Sequence, residues 1–305
     1  MKKKNLMLVG VGCVVLFAAG VFLGCLSASK DRLREAGEVC VQMKADIRRQ
    51  KMDKEADKYR FVFRRHGYDL SHDGQRYLIN GKGLFLGSSS KNFLFTANEV
   101  LNEEGYKTDI TAPTVIIDIG LNVGVTALYF ARMKNVVHVY GFEPFWPTYW
   151  EARANMKDNP ALAKKITIYP LGLSDKNEMQ TFDYNPDMMG SMSTVSNKYD
   201  RRDLKSETVE IRDASNALRT IFKRHPENIM LKVDCEGAEF EIFKSLDKSG
   251  LLKKVSYVVM EYHDRDPKIL LDILKKNGFE IVEFTKRKEG KRGIIRASQE
   301  VVRAI

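Results

Sequence analysis

A group of ionisable residues follows two apolar runs in the second half of the chain. Lys232 and Asp234 lie two residues apart in the run at 229–234, and Glu236 follows in the next turn. Alternate residues of a strand point to one face, so we expect Lys232 and Asp234 to lie side by side. His263 follows a second apolar run. Carboxylates and an imidazole at strand ends are suited to accept a proton from a substrate hydroxyl.

Each of these candidate catalytic residues also has a structural interpretation. Asp234 and Glu236 are predicted to act as a base or as metal ligands, or instead to cap the following helix. Lys232 either takes part in catalysis or neutralises Asp234, because a lysine in an apolar strand needs a partner. His263 is either the base or a surface histidine. The sequence assigns no definite metal ligand and leaves dependence on a divalent metal open.

A strand, a turn with two glycines and a helix precede this group. The apolar, β-branched run at 115–119 is typical of a strand that is buried on both faces. Gly120 and Gly124 allow the backbone to bend sharply and to approach a ligand closely. Asn122 and Val125 stand where a dinucleotide-binding fingerprint has glycines, so the pattern disfavours an NAD-dependent dehydrogenase.

Two acidic residues at predicted strand ends indicate which ligand this turn accepts. Asp118 precedes the first glycine, and an acidic residue there suits a ligand that carries an ammonium group. Glu143 follows the next predicted strand, at 136–142, and a carboxylate in that place can accept both ribose hydroxyls. S-adenosylmethionine meets both demands.

The rest of the chain alternates between predicted strands and helices. Core strands are predicted at 115–119, 136–142, 166–169, 229–234 and 255–262, with two further strands at 280–285 and 293–297. Additional strands are predicted near 178–183 and 207–212. This alternation predicts one α/β domain with a Rossmann-like sheet and helices on both faces.

Three motifs in this order resemble the FkbM family of S-adenosylmethionine-dependent methyltransferases. They read DIGLNVG at 118–124, FEP at 142–144 and KVDCEGAE at 232–239, and the resemblance runs from about 115 to 284. It implies a class I methyltransferase fold and an O-methyltransferase that acts on a hydroxyl of a glycan or another small-molecule or lipid-linked acceptor.

The resemblance also implies roles for individual residues. It places the following residues at the methionine end of the cofactor: Asp118, Gly120, Asn122 and Gly124. It places Glu143 at the ribose, and Ser174 and Asp175 close to the adenine.

The N-terminal third lies outside this resemblance. An uncharged run of 21 residues at 6–26 is long enough to cross a bilayer and predicts a membrane anchor within 1–29, with a cleaved signal peptide as the alternative. A basic helical linker is predicted at 30–66, a small unit with a hairpin and a helix at 67–112, and the methyltransferase domain at 113–305. The anchor or the linker helix could form a homodimer.

Charge and compartment narrow the choice of function. The chain carries a net charge of +10, and residues 1–66 hold 15 Lys and Arg against 7 Asp and Glu, so the basic charge belongs to the N-terminal segment. This distribution disfavours a nucleic-acid enzyme. A methyl donor made in the cytosol favours a single-pass membrane protein with a cytoplasmic catalytic domain. The alternative function is a non-catalytic, membrane-tethered module that binds S-adenosylmethionine or acts as a scaffold.

Overall fold

The computed structural model describes residues 30–90, 92–103, 105–184, 205–225, 227–287 and 290–299. The membrane span predicted at 6–26 lies outside these ranges. Within them, no helix is both long enough and apolar enough to cross a bilayer.

The chain divides into two compact units, with the boundary between Asp53 and Lys54. Helix α1 (Lys30–Arg65) contains this boundary, so the predicted helical conformation of this segment is confirmed, and its role as a linker stays a prediction. In the first unit, side-chain pairs four residues apart stabilise the exposed helix, as at Arg34 and Glu38.

In the second unit, the end of helix α1 is followed by a small antiparallel sheet. Its strands are β1 (Asp69–His72), β2 (Tyr77–Gly81) and β3 (Leu84–Ser88), followed by helix α2 (Phe93–Leu101). The predicted hairpin is confirmed as β2 and β3, and β1 is an additional strand. Asn155 and Asn159 accept hydrogen bonds from the β3 backbone at Gly87 and Phe85, so this sheet is bound to a helix of the main domain.

The main domain alternates between strands and helices. Its first half contains β4 (Thr114–Ile119), α3 (Val125–Ala131), β5 (Val136–Phe142), α4 (Trp146–Asp158), α5 (Pro160–Ala163), β6 (Ile166–Tyr169), β7 (Gly172–Ser174) and β8 (Glu178–Tyr184). Its second half contains β9 (Lys205–Asp213), α6 (Ala214–Arg224), β10 (Asn228–Val233), α7 (Glu239–Lys248), a 3₁₀ turn (Leu251–Lys254), β11 (Tyr257–His263), α8 (Lys268–Lys276), β12 (Phe279–Phe284) and β13 (Arg292–Gln299).

Seven of the described strands form the central sheet, in the order β12–β13–β11–β10–β4–β5–β6. The strands from β11 to β6 pair in parallel, whereas β13 runs antiparallel to both β11 and β12. Strands β7, β9 and β8 form a separate three-stranded sheet within the main domain, in the order β7–β9–β8. The predicted Rossmann-like α/β domain is thus confirmed, and the β7–β9–β8 sheet is an addition to it.

Strand β4 shows why the sheet is covered on both faces. Val115, Ile117 and Ile119 share one apolar core with Leu218 of α6 and Phe243 of α7. The side chain at position 116, between Val115 and Ile117, points to the opposite face of the sheet and is also fully buried. Because both faces are buried, polar side chains of these strands can reach solvent or a ligand only at the strand ends.

Candidate active site

A cavity of about 450 Å³ lies at the edge of the central sheet where β4, β5, β10 and β11 end. Its wall combines these strand ends with helix α2 and with the β7–β9–β8 sheet. Doubly wound sheets bind their ligands at the carboxyl ends of the strands. This cavity is therefore the candidate active site.

The glycine turn after β4 forms one wall of the cavity. Gly120 has φ +82°, and a Cβ atom added to it would lie 1.8 Å from the backbone oxygen of Asp234. The amide of Gly120 donates to the oxygen of Phe142, 3.1 Å away. The turn is thereby fixed between β5 and the end of β10, with room for glycine alone at position 120.

An ion pair supports this turn from behind. Lys232 Nζ lies 3.0 Å from Asp118 Oδ1, and the two side chains are 3% and 0% exposed. The same ammonium group donates to the backbone oxygen of Gly120 at 2.7 Å. Burial raises the pKa of Asp118, while Lys232 acts against that rise. The pairing follows from the register, which sets Lys232 directly beside Asp118 on adjacent parallel strands.

This arrangement corrects one expectation. Lys232 pairs with Asp118, not with Asp234 as the spacing along one strand suggested, because the neighbouring strand brings a carboxylate closer. The side chain of Asp118 is fully buried and does not belong to the lining of the cavity. Its predicted direct contact with a cofactor stays a prediction. Gly124 has φ +83°, and a Cβ there would meet Met156 of α4, so this glycine also serves helix packing.

Glu143 lies on the cavity wall next to the turn. Its Oε2 accepts from the amide of Asn122 at 3.0 Å, and its Oε1 accepts from the amide of Phe145 at 3.1 Å. Burial raises the pKa of Glu143 to about 7, against the effect of these two amides. Each carboxylate oxygen has a second lone pair that can accept from a ligand.

The end of the cavity beyond Glu143 is apolar. Phe145 and Phe182 contact each other edge to face, with ring centroids 5.5 Å apart, and Leu173 and Ile211 complete this part of the wall. Ser174, the next residue along β7, pairs with Asp213 in the small sheet. Neither Ser174 nor the exposed Asp175 is among the lining residues described here, so their predicted proximity to adenine stays a prediction.

The opposite end of the cavity is polar: Asp234 and Glu236 line it, and the buried His263 lies close to both. His263 Nε2 lies 3.9 Å from Asp234 Oδ1 and 3.8 Å from Glu236 Oε2. Glu261, which the sequence analysis does not assign to the site, lies 3.9 Å from the same nitrogen. Lys232 belongs to the ion pair behind the turn and not to this cluster.

His263 is buried, which excludes the surface alternative, and its ring is held on both sides. Nδ1 lies 3.0 Å from Glu239 Oε1, and Arg292 Nη2 lies 2.6 Å from Nε2. Burial lowers the pKa of His263, but Glu239 and the other carboxylates outweigh burial and raise it to about 9. Arg292 can donate to Nε2 only while the imidazole is neutral, so the protonation of this ring depends on the position of the guanidinium.

Two further residues complete the polar end, and both were missed by sequence reasoning. Tyr106 donates from its hydroxyl to Asp234 Oδ2 at 3.1 Å, and Glu99 of α2 also lines the cavity. Both precede the three motifs, in the segment at 67–112 whose pattern predicted a hairpin and a helix but no site residue. Arg292 was missed because it begins a strand that the sequence places at the far edge of the domain.

The fold and the cavity define a Rossmann-like α/β protein of the methyltransferase class. The family model for the methyltransferase FkbM domain matches residues 118–281, more than half of the chain. The chain belongs to this family, as the resemblance of its three motifs indicated.

The chain is similar to parts of proteins that differ widely in size. The chain is 27% identical to AMB antimetabolite synthetase AmbE of Pseudomonas aeruginosa, where the match covers 61% of this chain and 10% of AmbE. It is 26% identical to the methyltransferase sdnD of Sordaria araneosa, with 61% of this chain and 82% of sdnD covered. The crystal structure of methyltransferase FkbM from Methylobacillus flagellatus is 13% identical, with TM-score 0.43, and covers 68% of this chain and 52% of that one.

Proposed function

We propose that this protein transfers a methyl group from S-adenosylmethionine to a hydroxyl oxygen of an acceptor molecule. The observation that carries the proposal is that one cavity is lined by the glycine turn and Glu143 and also by Asp234 and Glu236, which lie 3.9 and 3.8 Å from His263. The cavity thus offers a place for a nucleoside next to a place for proton transfer.

The residues present fit S-adenosylmethionine. Gly120 lines the cavity with backbone alone, which lets a ligand approach the turn closely, and Glu143 presents free lone pairs beside it, as a ribose requires. The apolar end at Phe145 and Phe182 has the character that an adenine ring needs. When bound, this cofactor supplies an electrophilic methyl group on its sulfonium.

The protein's own contribution is to position the acceptor and to accept its proton. Asp234 lines the polar end, where its carboxylate can take the proton that the acceptor hydroxyl loses, and the buried His263 lies 3.9 Å from it. Tyr106 holds Asp234 through its hydroxyl and so fixes the direction of that carboxylate. Alignment of the reacting atoms supplies the larger part of such a rate enhancement, up to about 7–11 kcal/mol.

The cavity wall favours a neutral acceptor. Five carboxylates line it, at positions 99, 143, 234, 236 and 261, against the two cations Lys232 and Arg292. An anionic acceptor would meet this excess of negative charge, whereas a saccharide hydroxyl would find acceptors for its hydrogen bonds. We therefore favour a glycan or a lipid-linked saccharide, and the predicted anchor at 6–26 with a cytoplasmic catalytic domain supports the lipid-linked form.

The test is calorimetric titration of S-adenosylmethionine into the full-length protein, with NAD as the control ligand. We expect saturable binding of the first and none of the second. Glu143→Ala should weaken binding about tenfold or more, because charge-assisted hydrogen bonds are lost. Glu210→Gln, an exposed carboxylate next to Arg212, is the matched control and should leave affinity unchanged.

Methyl transfer is then measured with labelled cofactor against saccharide and glycolipid fractions. Incorporation into these fractions supports the proposal. Binding without transfer to any fraction favours the alternative, a non-catalytic module tethered to the membrane. No binding to a demonstrably folded protein would refute the proposed function.

A further inference from the structure

The polar end of the cavity contains three potential metal ligands on two adjacent strands. Asp234 follows β10, and Glu261 and His263 end β11. One ligand atom from each lies within 4.8 Å of the other two. Val233 and Met260 pair in register, so the next residues, Asp234 and Glu261, lie side by side at the sheet edge.

The orientation of His263 is a second and independent observation. Its Nδ1 is held 3.0 Å from Glu239 Oε1, and Glu239 is fully buried. The same oxygen accepts from the amides of Cys235 and Gly237, which fixes the carboxylate in place. Metal-binding histidines are oriented in this way by a carboxylate on the other ring nitrogen. Nε2 lies 3.9 Å from both Asp234 Oδ1 and Glu261 Oε1, so the neutral ring can offer this nitrogen to an ion bound by the two carboxylates.

A cation already contacts two of the three potential ligands, Glu261 and His263. The guanidinium of Arg292 lies 2.9 Å from Glu261 Oε1, 3.3 Å from Glu236 Oε1 and 2.6 Å from His263 Nε2. Its side chain is 32% exposed and begins at the cavity edge, so it can move towards solvent without unfolding the strand. The three ligands are buried or half-buried and cannot move in the same way.

We propose that Asp234, Glu261 and His263 bind a divalent metal ion, and that Arg292 holds the site in the absence of the ion. Two carboxylates and one imidazole form a mixed oxygen and nitrogen set, which suits a transition-metal ion such as Mn²⁺. Arg292 leaves Nε2 when the ion binds and keeps its contact with Glu236. The positioning of an acceptor hydroxyl by this ion rests on the proposed function, whereas the binding of the ion does not.

The test is a titration of Mn²⁺ into the full-length protein after treatment with a chelator. Electron paramagnetic resonance at room temperature counts the free ion, and pulsed electron paramagnetic resonance of the bound ion detects coupling to nitrogen. We expect one saturable site with coupling to an imidazole nitrogen. Asp234→Asn and His263→Gln should weaken binding about tenfold or more, and His263→Gln should also remove the nitrogen coupling. Glu241→Gln removes a carboxylate of α7 that pairs with Arg265 outside the cluster, and should leave binding unchanged.

Arg292→Gln distinguishes a site that binds a metal ion from a cluster in which Arg292 is the permanent cationic partner of the carboxylates. If the guanidinium competes with the ion, this variant binds Mn²⁺ more tightly than the parent. If neither protein binds Mn²⁺ saturably while both melt cooperatively, the proposal is wrong. It is equally wrong if His263→Gln binds as the parent does. Titration of S-adenosylmethionine in the presence of chelator separates this failure from failure of the proposed function, because cofactor binding does not require the ion.

Discussion

Lys232 and Asp118 form a fully buried ion pair across two adjacent parallel strands, and Lys232 also donates to the backbone of the glycine turn. One side chain thus joins β10, β4 and the wall of the cavity. The shape of the glycine turn that lines the cavity therefore depends on the ion pair between Lys232 and Asp118.

Loss of one member of this pair should be costly. Lys232→Met leaves Asp118 charged, buried and without its cation, and we expect a loss of about 3–5 kcal/mol in the free energy of unfolding. Urea denaturation measures it. The exposed pair of Lys268 and Asp272 is the control, and Asp272→Asn should cost less than about 1 kcal/mol. Equal costs for the two variants would contradict the assigned role of the buried pair.

Gly120→Ala should destabilise the protein more than the same substitution at Gly250. Both glycines have positive φ, +82° and +73°, so both variants incur a backbone strain of about 1–2 kcal/mol. Only at Gly120 does the new Cβ also meet a backbone atom, the oxygen of Asp234, which adds about 1–3 kcal/mol. Thermal unfolding of the two variants checks this, and similar melting temperatures would show that the turn can relax.

Glu143 should make stability depend on pH. Its pKa in the folded protein is about 7, above the ordinary 4.5, so the stability associated with its neutral form is fully present below pH 4.5 and is lost as pH rises towards 7. Glu143→Gln should remove this loss. We expect its unfolding free energy relative to the parent to rise by about 2–3 kcal/mol between pH 5 and pH 8.

Measuring this difference by urea denaturation at both pH values cancels the constant effect of the altered hydrogen bonds to Asn122 and Phe145. Glu210→Gln serves again as the control and should show no such pH dependence. A flat difference for Glu143→Gln would mean that this carboxyl titrates normally in the folded protein.

Tyr106→Phe should reduce turnover and spare cofactor affinity. The variant removes the hydroxyl that donates to Asp234 and keeps the ring, so Asp234 loses one positioning hydrogen bond of about 0.5–1.5 kcal/mol, or roughly two- to tenfold in rate. Steady-state methyl transfer and calorimetry check the two parts. Tyr257→Phe, at the first residue of β11, is the control. An equal loss of turnover in this variant would contradict the positioning role of Tyr106.

Much of the main domain follows from the sequence because its signals are local. Buried parallel strands appear in the sequence as apolar runs, and the turn at Gly120 is recognised from its two glycines. Pro147 marks the start of helix α4, which the structure places at Trp146. Polar residues that follow parallel strands meet at the carboxyl edge of the sheet, so the sequence alone groups Asp234, Glu236 and His263.

The remaining features depend on which distant segments become neighbours. Lys232 meets Asp118 only because β10 lies beside β4, and no spacing along the chain states that order. Tyr106 reaches Asp234 across 128 positions of sequence. Arg292 enters the site because β13 reverses direction, which a short apolar run cannot reveal.

The reversed direction of β13 also bears on when the site is completed during synthesis. Its first residue, Arg292, and not its last, lies at the edge where the parallel strands end, and the strand inserts between β11 and β12. A chain emerging from the ribosome therefore holds the cofactor wall and all the carboxylates before it holds the guanidinium that balances them. The described part of the cavity wall is therefore completed last, when the C-terminal described strand brings Arg292 to it.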